Sequence, residues 1–256
     1  MRNIRLLAIG WWFQVKILTR SSFNFVLGIV YPLFFATVAF LMYRTGAKDA
    51  LFYASLGAAV MGVWAATSTS AGSAMQHQRR HGTLELLVAA PANFSLLMLP
   101  VTIAMSTIGL YSMAATLLWG RVLFGIHIHV VHPLLFAVGI VVTVLSIGLF
   151  GFLLAVAFVR YRTAWALGNL LEYPVWLVCG FLVPIDRFDS HAVRVVSWLL
   201  APTWGMNAIR HAATGGAPLR DLALCAAAGL VYLGIGVAIV GTLLRSARAR
   251  GTLALT

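Results

Sequence analysis

An all-α integral membrane protein, built as a bundle of six crossing helices, is the architecture written into this chain, and three observations predict it. Charged side chains make up 9% of the 256 residues and hydrophobic ones 61%, where an ordinary soluble domain carries about 25% charge. The apolar residues gather in runs of about 20, the length that crosses a bilayer as a helix. The runs are continuous, whereas the strands of a membrane barrel alternate over about 10 residues.

The first element is not a span. Residues 1–20, MRNIRLLAIGWWFQVKILTR, have the positive start of a signal peptide but no small-residue cleavage site. At helical spacing Arg2, Arg5, Lys16 and Arg20 fall within about 60° of one another, and Ile4, Leu7, Ala8, Trp11, Val15 and Leu18 share the opposite face. Such a helix lies in the headgroup layer against membrane lipid. The six spans follow at 23–43, 50–70, 94–118, 133–159, 164–183 and 222–244.

Six spans place both termini on one side, and the positive-inside rule selects which. With the termini inside, the inner segments hold Arg2, Arg5, Lys16, Arg20, Arg79, Arg80, Arg160, Arg162, Arg245, Arg248 and Arg250. The outer loops hold fewer cations, Arg44, Lys48, Arg121, Arg187, Arg194, Arg210 and Arg220, together with Asp49, Asp186, Asp189 and Asp221. Both termini are therefore expected in the cytoplasm. The net charge of +12 serves orientation and anionic headgroups. Nucleic acid is not an expected partner, because no basic and aromatic module remains once the spans are removed. Cys179 and Cys225 both lie in apolar runs and read as small packing residues.

A polar island, RRHGTLELLVAAP at 79–91, interrupts the apolar pattern after the second span, on the cytoplasmic side. Gly82 offers a bend, Thr83 can cap a helix start, and Glu85 then sits in the first turn, where the helix dipole favours a carboxylate. A short surface helix that docks a partner and a plain solvated loop both fit these residues. No G-x-x-x-x-G-K-[ST] phosphate loop occurs anywhere, so the chain does not hold a nucleotide by that device.

The island closely resembles the signature after the second span in permeases of the type 2 ATP-binding-cassette (ABC) exporter family, where a polar stretch leads into Gly-Thr-Leu-Glu and ends near a proline. The segment FLVPIDRFDSHAVRVVSWLLAPTWGMNAIRHAATGG, 181–216, is similar to the family's stretch after the fifth span. The resemblance covers the whole chain, 1–256, as a single transmembrane domain. It implies that 76–91 is a coupling-helix region seated in a groove of a separate ATP-binding subunit, with Arg79, Arg80, Gly82, Thr83 and Glu85 as contacts. It further implies two copies of that subunit, which bind the ATP and Mg and do the hydrolysis. This chain then needs no cofactor or metal of its own and is no enzyme. A second permease chain, identical or homologous, completes the pathway for export of a hydrophobic drug- or lipid-like cargo across a bacterial cytoplasmic membrane. The family precedent for 184–216 is a pair of re-entrant helices at the external exit, with Pro184, Pro202 and Arg210 as gate candidates.

Ala58, Gly62, Ala66, Ser70 and Ala74 recur every four residues, the spacing that lets membrane helices approach closely. Glu172 is the one acidic residue inside a span, followed by Tyr173 and Pro174. A carboxyl group there faces protein or a wet cavity. Glu172 and Tyr173 are therefore candidates for the translocation path, with a neutral acid bonded between helices as the other reading. The histidines of HIHVVH, His127, His129 and His132, match no strong zinc spacing and read as interface residues. A secondary transporter that carries protons on Glu172 is the rival function, but no inverted repeat is visible. Motifs of membrane-embedded enzymes are absent.

Overall fold

The computed structural model describes residues 2–20, 30, 33–34, 36–38, 40–41, 48–80, 94–126, 130–157, 164–181 and 190–250. Among them the secondary structure is helical: α1 (Arg2–Arg20), α2 (Lys48–Arg80), α3 (Phe94–Phe124), α4 (Pro133–Ala157), α5 (Ala164–Val178), α6 (His191–Leu199), α7 (Ala201–Thr214) and α8 (Pro218–Arg250). Four of these, α2, α3, α4 and α8, are long and apolar enough to cross a membrane. Helical positions at 36–38 and 40–41 fall in the expected first span, most of which lies outside the described residues.

The helix ends have local causes. Proline opens α4 and α8 at Pro133 and Pro218, where its missing N–H is not needed and its fixed φ suits the helix. The expected fifth span reaches residue 183, but α5 stops at Val178. Gly180 takes φ +68, Gly180 N–H bonds the Leu177 carbonyl and Phe181 N–H bonds the Trp176 carbonyl. This pair of bonds is a Schellman ending, which needs a left-handed residue that glycine adopts without strain. Gly215, at φ 88, ends α7 in a similar way, with the Gly215 and Gly216 N–H groups both on the His211 carbonyl.

The core gathers around α2. Leu56, Val60, Val63 and Trp64 pack with Met113 of α3, Val144 and Ile147 of α4, Val175 and Trp176 of α5, and Met206 and Ile209 of α7. The Trp64 ring lies 5.2 Å from Phe150. Lipid tails are as apolar as leucine, so such packing rests on close fit and not on the exclusion of water. At Gly205 of α7 a Cβ would collide with the Thr143 side chain of α4. The Thr143 hydroxyl itself bonds back to the Gly139 carbonyl, 2.6 Å away, which satisfies it inside its own helix.

The amphipathic α1 docks on α3 through a narrow seam. Leu7 joins the Met98 and Leu99 cluster, and Trp11 Nε1 donates to Thr107 Oγ1 at 3.1 Å. Ile4 and Ala8, on the expected apolar face, are left uncovered by protein, as are Leu6, Ile9, Trp12, Phe13 and Ile17. One helix partner covers only one stripe of a cylinder, so the remaining apolar surface is left for lipid.

Candidate functional site

The two ends of α2 hold different parts of the candidate machinery. At one end the helix runs without a break to Arg79 and Arg80. It is longer than the expected 50–70 span and includes the first residues of the 76–91 region. Gly82, Thr83 and Glu85 lie outside the described residues, as does Pro184. From Lys48 to Arg80 the 33 residues of α2 make a rod about 50 Å long.

At the other end α2 meets the end of α5 and the second half of α7, and Arg210 joins all three. Its side chain is 7% exposed. Nη1 donates to the Gly180 carbonyl at 2.9 Å, and Nη2 donates to the carbonyls of Phe181 at 2.8 Å and Tyr53 at 3.2 Å. The guanidinium also lies over the Tyr53 ring, 3.1 Å from its centroid, a cation–π contact that gains strength out of water. The Tyr53 hydroxyl donates to the Gly180 carbonyl at 3.0 Å. One turn further along α2, a Cβ on Gly57 would fall on the Phe181 carbonyl, so only glycine allows this approach of the two main chains. The charge on Arg210 also faces the carbonyl end of α5, where the helix dipole is negative.

The break between α6 and α7 is held by a second residue. The Tyr232 hydroxyl of α8 accepts from Ala201 N–H at 2.9 Å and donates to the Leu199 carbonyl at 2.5 Å. Tyr232 stands fourteen residues after Pro218, about 21 Å along the α8 axis. Ala201 clusters there with Cys225 and Tyr232, and Leu149 and Phe150 of α4 pack against that cluster. At the opposite end of α7, the N–H groups of Val131 and His132 bond the carbonyls of Ala213 and Ala212.

The remaining predicted residues are spread over the bundle. Glu172 is 4% exposed, and its Oε1 has no hydrogen-bond partner among the described residues. Tyr173, by contrast, is 52% exposed and stacks edge-on against Trp176 at 5.2 Å. These neighbours therefore point to different sides of α5. Ala58 is buried against Ala36, Phe40 and Ile126, Gly62 is buried and Ala66 is half-buried. Ser70 is helical, and its side chain lies outside the described set. Pro202 is buried in the first turn of α7. His127 and His129 are outside the described residues, and His132 is exposed. Among the described residues, no three His, Cys, Asp or Glu side chains are grouped to hold a metal.

Sequence reasoning missed Tyr53, Gly57 and Tyr232. Gly57 sits one residue before the stripe that begins at Ala58, and an alanine-rich helix offers several such stripes. Tyr232 carried the better signal, a polar tip within an apolar span that needs a partner when buried.

The family model described as ABC-2 type transporter matches residues 5–213, from α1 to the end of α7. The chain belongs to the ABC-2 type transporter family. No curated protein matches it. As an ABC-2 type transporter membrane domain, it is a transport permease component embedded in the bilayer by its apolar helices. Such domains work with ATP-binding subunits in ABC transporters.

Proposed function

We propose that this chain is the permease subunit of an ATP-driven exporter, pairing with a second permease chain, identical or homologous, and with two copies of an ATP-binding subunit that carry the ATP and Mg. The observation that carries this reading is α2, a continuous helix that leads directly into the Gly82, Thr83 and Glu85 motif. Closure of the nucleotide-binding subunits pushes on 76–91 and tilts α2, alternating the pathway between inward-open and outward-open states. Six spans with cytoplasmic termini in a bacterial cytoplasmic membrane complete the topology.

The α6–α7 pair is read as re-entrant from the external side. The depth of its break supports this, since Leu200 lies beside Tyr232 with its flanking backbone groups bonded to that phenol. Backbone that leaves a helix at membrane depth is tolerated only where protein satisfies it. The cargo is hydrophobic, drug- or lipid-like, matching a largely apolar bundle in which Glu172 is buried.

The test is export from vesicles that contain the chain with and without its ATP-binding subunit. Glu85→Arg is expected to leave insertion and assembly in the membrane intact and to lower export per ATP hydrolysed about tenfold or more. Unchanged export in that variant, or export that needs a proton gradient but no ATP, would overturn the reading.

A further inference from the structure

The three carbonyls on Arg210 come from two helices, Tyr53 of α2 and Gly180 and Phe181 at the end of α5, while Arg210 itself belongs to α7. Main-chain acceptors report where a helix is, whatever its side chains do. A guanidinium is planar with its donors in a fixed fork, so these bonds define one relative placement of the three helices. No slack remains between α2 and α5, because the Phe181 carbonyl occupies the place of a Gly57 Cβ. Packed contacts of this kind switch between discrete arrangements and do not deform smoothly.

From Tyr53 to Arg80 α2 is unbroken, a lever about 40 Å long. Its far end enters the segment that meets the ATP-binding subunit in the function proposed above, on which this step rests. A tilt imposed at Arg80 therefore moves Tyr53, and Arg210 moves with it. α7 is then carried in its second half by Arg210, beside the Ala212 and Ala213 carbonyls that bond the 131–132 segment, while its first residue stays bonded to Tyr232 of α8.

We infer that Arg210 is a positioning residue for transport: it fastens α2, α5 and α7 into one moving body, so that the α6–α7 hairpin changes position with α2 and pivots at Tyr232. The anchor at Tyr53 and Gly57 is thus part of the transmission as well as of the packing.

The experiment uses the full chain with its ATP-binding subunit in lipid nanodiscs. Spin labels are placed at Lys48→Cys and Thr214→Cys, and the native Cys179 and Cys225 are buried. The label distance is expected to be the same in the resting and the nucleotide-trapped states. In Arg210→Met the distance changes with nucleotide, ATPase activity stays within about twofold, and export per ATP falls about tenfold or more. Arg210→Lys gives an intermediate loss, because an ammonium is a point charge without the fork.

Should Arg210→Met fail to insert, Tyr53→Leu carries the same test. It removes the ring beneath the guanidinium and the bond to Gly180, keeps the Tyr53 carbonyl, and is expected to lower export per ATP several-fold. A label distance that shifts with nucleotide in the wild-type complex, or normal export per ATP in the variants, would overturn the inference. Wild-type export that ignores ATP would instead fault the proposed function. The resting label distance of Arg210→Met against wild type would then decide the clasp, an unchanged distance and spread counting against it.

Discussion

Two long helices of this protein, α2 and α8, are both 33 residues and reverse the usual relation between hydropathy and burial. The apolar window of α2 is the less hydropathic and is 78% buried, whereas that of α8 is more hydropathic and only 28% buried. In water the greasier helix would be the inner one. In a membrane the solvent is itself hydrocarbon, so continuous large apolar side chains suit a helix that faces lipid. Small and hydroxylated residues mark the helix that other helices surround. Ser55, Gly57, Ala58, Ala59, Gly62, Thr67 and Ser68 on α2 are buried, while Leu230, Val231, Ile235 and Val237 on α8 are exposed.

The sharpest way to break that contrast is one substitution made on both helices. Gly57→Val drives a side chain into the Phe181 carbonyl and is expected to destabilise the protein by about 3 kcal/mol or more. Gly234→Val on α8 meets nothing within 4 Å and should change stability by less than about 0.5 kcal/mol. Thermal unfolding in detergent, read by size-exclusion chromatography, compares the two. Similar melting temperatures for both variants would refute the assignment of α2 to the interior.

A deletion of side-chain volume gives the next largest difference. Trp64 is among the largest fully buried side chains, and Trp64→Ala should cost about 3–5 kcal/mol. Ile235 is 46% exposed, and Ile235→Ala should cost less than about 1 kcal/mol by the same unfolding assay, since little of its area is buried by protein. The smallest effect refines the picture of α8 through its buried phenol, Tyr232. Tyr232→Phe removes the hydroxyl that serves both Leu199 and Ala201 and should cost about 1–3 kcal/mol. Amide hydrogen exchange at Ala201 is expected to accelerate in that variant. Unaltered exchange there would mean that the α6–α7 break is held by other contacts.

Much of this could be read before any coordinates. Continuous apolar runs located α3, α4 and α8, and the helical periodicity of cations and apolar groups located α1. The expected fifth span failed at its end because VCGF is apolar to a composition count, yet Gly180 ends the helix through two backbone bonds. On α1, periodicity identified the apolar face, but packing decided that Leu7 and Trp11 within it meet α3 while Ile4 and Ala8 do not, since the width of a buried stripe depends on how many helices lie against it. Arg210 was recognised as a residue of interest at the external end. That it binds carbonyls of two other helices was invisible, because main-chain acceptors leave no trace in residue identity.

By itself the sequence determined the solvent of this protein, hydrocarbon around long apolar helices, and where a polar island interrupts the apolar pattern. Local chemistry suffices for that, since the cost of placing a charge or a bare backbone group in lipid is set residue by residue. Tertiary structure decided which helix lies inside and which residue joins α2 to α5 and α7. Those outcomes depend on contact between surfaces far apart in the chain, where the absence of one Cβ at Gly57 matters more than the hydropathy of the whole helix.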